Sequence, residues 1–75
     1  MQNTLEEIFR AIFELPAQAD VTGLTQKQHA AWDSLAHVTL IGAIESEFDL
    51  SIDVADSMEI TSFDAARRYL ESQGK

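Results

Sequence analysis

Apolar residues at Leu5, Ile8, Phe9, Ile12 and Phe13 recur three and four positions apart, the spacing that lines one face of an α-helix. Thr4 followed by Glu7 has the form of a capping box for this helix. Pro16 is expected to end it, because the residue before a proline is pushed out of helical geometry. From Pro16 to Asp33 the periodicity is lost. Residues 17–23 are rich in turn formers, and Leu24 and Trp32 are the side chains expected to anchor the segment to a core. So long a loop in a small domain is usually functional or packed as a unit of its own.

A second helix is predicted to begin near Ser34, with Asp33 as the N-cap whose carboxylate accepts from the first free backbone N–H groups. Leu35, Val38, Ile41 and Ile44 mark its apolar face, Phe48 closes that face, and Leu40 and Ala43 widen it. Gly42 costs up to about 1 kcal/mol against alanine inside a helix, which points to close approach of a neighbouring helix or a ligand. After a turn through residues 49–52, a short helix is expected from about Asp53 to Met58, with Val54, Ala55 and Met58 on its inner side. Thr61 or Ser62 caps a last helix that buries Phe63, Ala66, Tyr69 and Leu70. Arg67 and Arg68 lie towards its C-terminal end, where cations suit the helix dipole, and the tail from Ser72 to Lys75 is expected to fray. No stretch alternates as a strand does. The pattern predicts an all-α fold, a four-helix bundle with a long first loop and a short third helix, in one domain over residues 1–75.

The chain has 75 residues, with thirteen acidic side chains against five Lys or Arg and a formal charge of −8. A domain this small buries only about 60% of the surface its unfolded chain exposes. With no cysteine, neither a disulfide nor a thiolate metal site reinforces it. The acidity argues against nucleic acid as a partner, since phosphate binding needs cations, and against an anionic membrane surface. It favours basic partner proteins reached by electrostatic steering, with binding that weakens in salt; simple solubility is the plain alternative. No apolar run approaches the roughly 18 residues that span a bilayer. The start at Met1 lacks the basic flank and apolar stretch of a signal peptide. The expectation is a soluble, cytoplasmic, monomeric and stand-alone protein.

The chemistry concentrates in Trp32-Asp33-Ser34-Leu35. This stretch sets a serine at the start of a helix, behind an acidic cap and at the end of a loop, where helix N–H groups favour a nearby anion. A phosphodiester on Ser34 Oγ would be well placed there. Taken alone, Asp-Ser is a common capping pair.

The residues around it resemble a known family. Asp33-Ser34-Leu35-Ala36-His37-Val38, continuing to Glu45-Ser46-Glu47-Phe48, is similar to the second helix of acyl carrier proteins. The likeness runs on through Asp49-Leu50-Ser51-Ile52 and residues 60–66 to Tyr69-Leu70. The first helix and long loop match in length and pattern more than in residues. The resemblance implies a four-helix carrier fold and 4′-phosphopantetheine on Ser34, delivered from coenzyme A by a phosphopantetheinyl transferase with Mg²⁺. Asp33 and Leu35 would flank that site. The arm's thiol would carry acyl groups as thioesters, so the chain needs no cysteine and is expected to be a carrier, with no catalytic or metal-binding residues of its own. An acyl-loading ligase or acyltransferase and downstream acyl-using enzymes would be its partners. They would dock mainly on the second helix, and the candidate docking residues are Leu35, His37, Val38, Glu45, Glu47, Asp53 and Asp56.

The sequence also departs from the family pattern. Fatty-acid-type carriers often have acids at the positions of Ala36, Thr39 and Ser46, whereas here Glu45, Glu47, Asp49, Asp53, Asp56 and Glu59 carry the charge. This points to a specialised pathway, such as secondary metabolism or polysaccharide tailoring, rather than housekeeping fatty-acid synthesis. His37 is expected at an exposed docking rim; a Ser-His-Asp set of Ser34 with His37 or His29 and Asp33 would lack a shaped pocket. Trp32 is expected to pack on the loop and bundle with its N–H in water. The alternatives are a peptidyl or aryl carrier using the same serine, and an unmodified carrier fold serving as an interaction module.

Overall fold

In the computed structural model, which describes residues 1–75, the chain forms four helices: α1 (Gln2–Ile12), α2 (Ser34–Phe48), α3 (Val54–Glu59) and α4 (Phe63–Ser72). The fold is an all-helical bundle, and no helix is long and apolar enough to cross a membrane. Its core gathers Leu5, Ile8, Phe9 and Phe13 of the first helical segment, Leu40, Ile41 and Ile44 of α2, and Phe63, Ala66 and Leu70 of α4. Val21, Trp32, Ile52 and Ile60 complete it from the connections, and no polar or charged residue is buried among them. Phe9 is the hub. Its ring meets Phe63 at 5.1 Å and Trp32 at 5.5 Å, both edge to face, the arrangement aromatic quadrupoles favour.

α1 begins three residues before the expected start. Met1 is its N-cap without a side-chain bond, and the Leu5 N–H already bonds the Met1 carbonyl at 3.1 Å. Thr4 therefore lies inside the helix and the Thr4–Glu7 capping box does not form. The helix also stops before Pro16 acts on it. Glu14 takes a left-handed conformation (φ 53°), and Leu15 N–H bonds back to the Arg10 carbonyl at 2.8 Å, a C-terminal motif usually built on glycine.

The segment from Pro16 to Asp33 is stitched down rather than loose. Arg10 Nε donates to the Ala19 carbonyl at 3.0 Å, and the Asp20 carboxylate accepts from both the N–H and the hydroxyl of Thr22. Val21, which no local pattern marks, is fully buried. Leu24 packs half-buried against the core, as expected of an anchor. A single antiparallel bridge joins Thr25 to Ser62, with Gln26 N–H on the Thr61 carbonyl and Phe63 N–H on the Leu24 carbonyl. The loop is thus pinned to the start of α4.

α4 follows expectation on its buried stripe, and of the two candidate caps Ser62 is the one used: its Oγ accepts from Ala65 N–H at 2.9 Å. Arg67 and Arg68 correct the expectation for its end. They sit mid-helix in ion pairs, Arg67 with Asp64 and Glu71 and Arg68 with Asp64, and the last turn holds no cation. After Ser72 the tail folds back in a C-terminal motif: Gly74 turns left-handed (φ 78°) and Lys75 N–H closes on the Leu70 carbonyl at 2.9 Å.

Candidate functional site

Asp33 leaves the loop in an extended conformation, and its Oδ1 accepts from Ala36 N–H at 2.8 Å, the bond of an N-cap. The His37 N–H makes the first backbone bond of α2, to the Asp33 carbonyl at 2.9 Å. The N–H groups of Ser34 and Leu35 precede any helical partner and face outwards with the positive end of the helix. Ser34 is the first residue of α2 and is exposed. A single negative charge on its oxygen would meet those two free donors.

α2 buries Leu40, Ile41 and Ile44 of the expected apolar face, but not Leu35 and Val38. At 100° per residue, Leu40 and Ile44 fall opposite Leu35 and Val38. The structure seats Leu40, Ile41 and Ile44 in the core and leaves Leu35 77% and Val38 69% exposed. Ala36, Ala43 and Phe48 pack half-buried beside them. α3 is turned over. Val54 and Met58 are 76% and 72% exposed, Ala55 is exposed, and it is Asp56 and Ser57 that face inwards. Ile52 and Ile60, on either side of the helix, supply the buried contacts in its place.

Between the two helices lies an open groove of ≈ 410 Å³, lined by Val38, Ile41, Gly42, Glu45, Ile52, Val54 and Ser57. A Cβ added to Gly42 would meet no atom within 4 Å. No neighbouring helix makes the close approach expected at this glycine, and its missing side chain leaves the groove wide.

The acidic candidates divide into two kinds. Glu47 is exposed and free of bonds within the chain, and Asp53 is exposed while capping α3 through Asp56 N–H at 2.8 Å. Glu45 is half-buried and accepts the Ile52 N–H at 2.8 Å. Asp56 faces Tyr69: burial first, then the charges of Asp56, Asp53 and Glu45, pushes the Tyr69 phenol up from its ordinary value. No lysine or arginine occurs from Ser34 to Glu59 to offset these acids, and Glu47 lies on the side of α2 that faces α1 rather than beside the groove.

His37 corrects the expectation of an exposed rim residue. It is half-buried, its Nδ1 accepting from Trp32 Nε1 at 3.0 Å and its Nε2 lying 2.9 Å from the Ser57 carbonyl. Trp32 packs in the core as expected, but its N–H is bonded to this imidazole and is not in water. With both nitrogens engaged there and the Asp33 carboxylate engaged by Ala36, Ser34, His37 and Asp33 form no Ser-His-Asp relay. His29 sits elsewhere, edge-on to Phe13 at 5.0 Å, with its Nε2 buried and unpartnered. The sequence signal for His37 was its spacing: it stands three, four and seven residues before Leu40, Ile41 and Ile44, on the buried stripe.

Comparison with known protein families finds no family model that matches this chain, and comparison with curated proteins finds no significant sequence match.

Proposed function

We propose that this chain is an acyl carrier protein that bears 4′-phosphopantetheine on Ser34 and presents thioester-bound acyl groups to partner enzymes in a specialised cytoplasmic pathway. The observation that carries the reading is Ser34 itself: an exposed serine opening α2 behind the Asp33 cap, at the end of the long loop. The residues present fit the group. Ser34 Oγ is accessible to a transferase, and the free N–H groups of Ser34 and Leu35 can face the phosphodiester. When bound, the arm supplies the thiol that the chain lacks.

The chain's own residues recognise and position. Leu35, Val38, Val54 and Met58 offer exposed apolar contacts on the two helices that flank the groove, and Glu47 and Asp53 are exposed charges for a basic partner. Apolar anchors set in a charged surface suit brief, repeated docking, with charge speeding encounter. The partners would be a phosphopantetheinyl transferase, an acyl-loading ligase or acyltransferase, and acyl-using enzymes. Loading of the wild-type chain and of Ser34→Ala by a phosphopantetheinyl transferase tests the proposal.

A further inference from the structure

We propose that His37 is a latch that holds α3 to the bundle and thereby sets the width of the groove between α2 and α3. An indole N–H only donates, so the Trp32 bond at 3.0 Å requires an unprotonated His37 Nδ1. A carbonyl only accepts, so the contact of 2.9 Å to Ser57 requires a proton on Nε2. The Ser57 hydroxyl, 3.3 Å from the same nitrogen, adds a longer contact. The two bonds together select one neutral tautomer.

The ends of this relay are unequal. Trp32 is wedged in the core against Phe9 and Phe13, each 5.5 Å away between ring centres, so its N–H is a fixed post. α3 has six residues and buries none of them. Ile52 and Ile60 anchor its flanks; between those anchors His37 reaches the Ser57 carbonyl from α2, and Tyr69 of α4 meets the Asp56 side chain. Segments with few buried contacts open at low free energy, independently of the rest of a domain. Val54 and Ser57 form the α3 wall of the groove, facing Val38 and Gly42 on α2, so release of Ser57 moves that wall. His37 lies one turn from Ser34 on α2. The value of the latch to a tethered acyl group rests on the carrier reading; the latch itself does not.

The test is native-state amide hydrogen exchange on the full, unmodified chain, comparing wild type, His37→Phe and His37→Gln. His37→Phe is expected to speed exchange across residues 56–60 about fivefold, the effect of losing one net hydrogen bond, with amides of α1 and α4 changed less than about twofold. His37→Gln restores protection, because its amide can accept from Trp32 and donate to Ser57. Unchanged rates at 56–60, or equal acceleration throughout the chain, would overturn the proposal. A second measurement needs no variant. The ¹⁵N resonances of His37 in the wild-type chain are expected to show a protonated Nε2 and a bare Nδ1, and a protonated Nδ1 would overturn it. Neither readout involves the cofactor, so a failed latch leaves Ser34 loading intact, and failed loading leaves the exchange result standing.

Discussion

The carboxylate of Glu45 accepts the backbone N–H of Ile52 at 2.8 Å, while the Glu45 carbonyl accepts Leu50 N–H at 3.2 Å. One residue thus closes the end of α2 twice, around a left-handed Asp49 (φ 52°), and aims the chain into α3. A residue that looks like a surface charge in the sequence is a structural clasp. Charge-assisted bonds to a half-buried carboxylate contribute about 1.5–3 kcal/mol. Glu45→Ala is expected to lose that much in urea unfolding, and Glu45→Gln less, since its amide oxygen still accepts. A loss for Glu45→Ala below about 0.5 kcal/mol would mark the side chain as an ordinary surface charge.

Ile44 and Val38 stand about 120° apart around α2, one in the core and one in solvent. Ile44→Ala is expected to cost about 2–5 kcal/mol. Val38→Ala should change stability by less than about 0.5 kcal/mol. Chemical unfolding followed by circular dichroism measures both, and equal costs would contradict the orientation of the helix.

Stability is expected to fall at both extremes of pH through two identifiable groups. The bond from Arg67 holds the Asp64 carboxyl below its ordinary value of 3.8. A depressed carboxyl stabilises the fold above that value, and the contribution is lost as pH falls through the lower folded one. The Tyr69 phenol is raised above its ordinary 10.0, so its contribution is full below that pH and is lost as pH rises through the higher folded value. Asp64→Asn is expected to flatten the acid limb of a stability–pH curve and Tyr69→Phe the alkaline limb. Unchanged limbs would show that these groups do not couple to folding.

Helices with a single apolar stripe were legible in the sequence, as Leu5, Ile8 and Phe9 in α1 and Phe63, Ala66 and Leu70 in α4 show. α2 is apolar on both sides, so spacing alone could not say whether Val38 or Leu40 is buried. The spacing of His37 to Leu40 and Ile44 held the answer. α3 misled because its apolar residues share one side, yet Ile52 and Ile60 fill the core beneath it. Val21 has no periodic neighbours, and only the path of the loop takes it inside. Asp33 and Ser34 were legible as a cap and the residue it exposes, since capping is local chemistry. The bonds from His37 to Trp32 and Ser57 join residues five and twenty apart, brought together only by packing.

The central claim is that Ser34 is the attachment point of the arm, and intact-mass spectrometry tests it most directly. The chain is incubated with coenzyme A, Mg²⁺ and a promiscuous phosphopantetheinyl transferase shown to load a control carrier. The account predicts a gain of one phosphopantetheine unit in the wild-type chain and none in Ser34→Ala. A wild-type chain that gains nothing beside a loaded control would contradict it and make this fold an unmodified interaction module, and a gain that survives in Ser34→Ala would contradict the site.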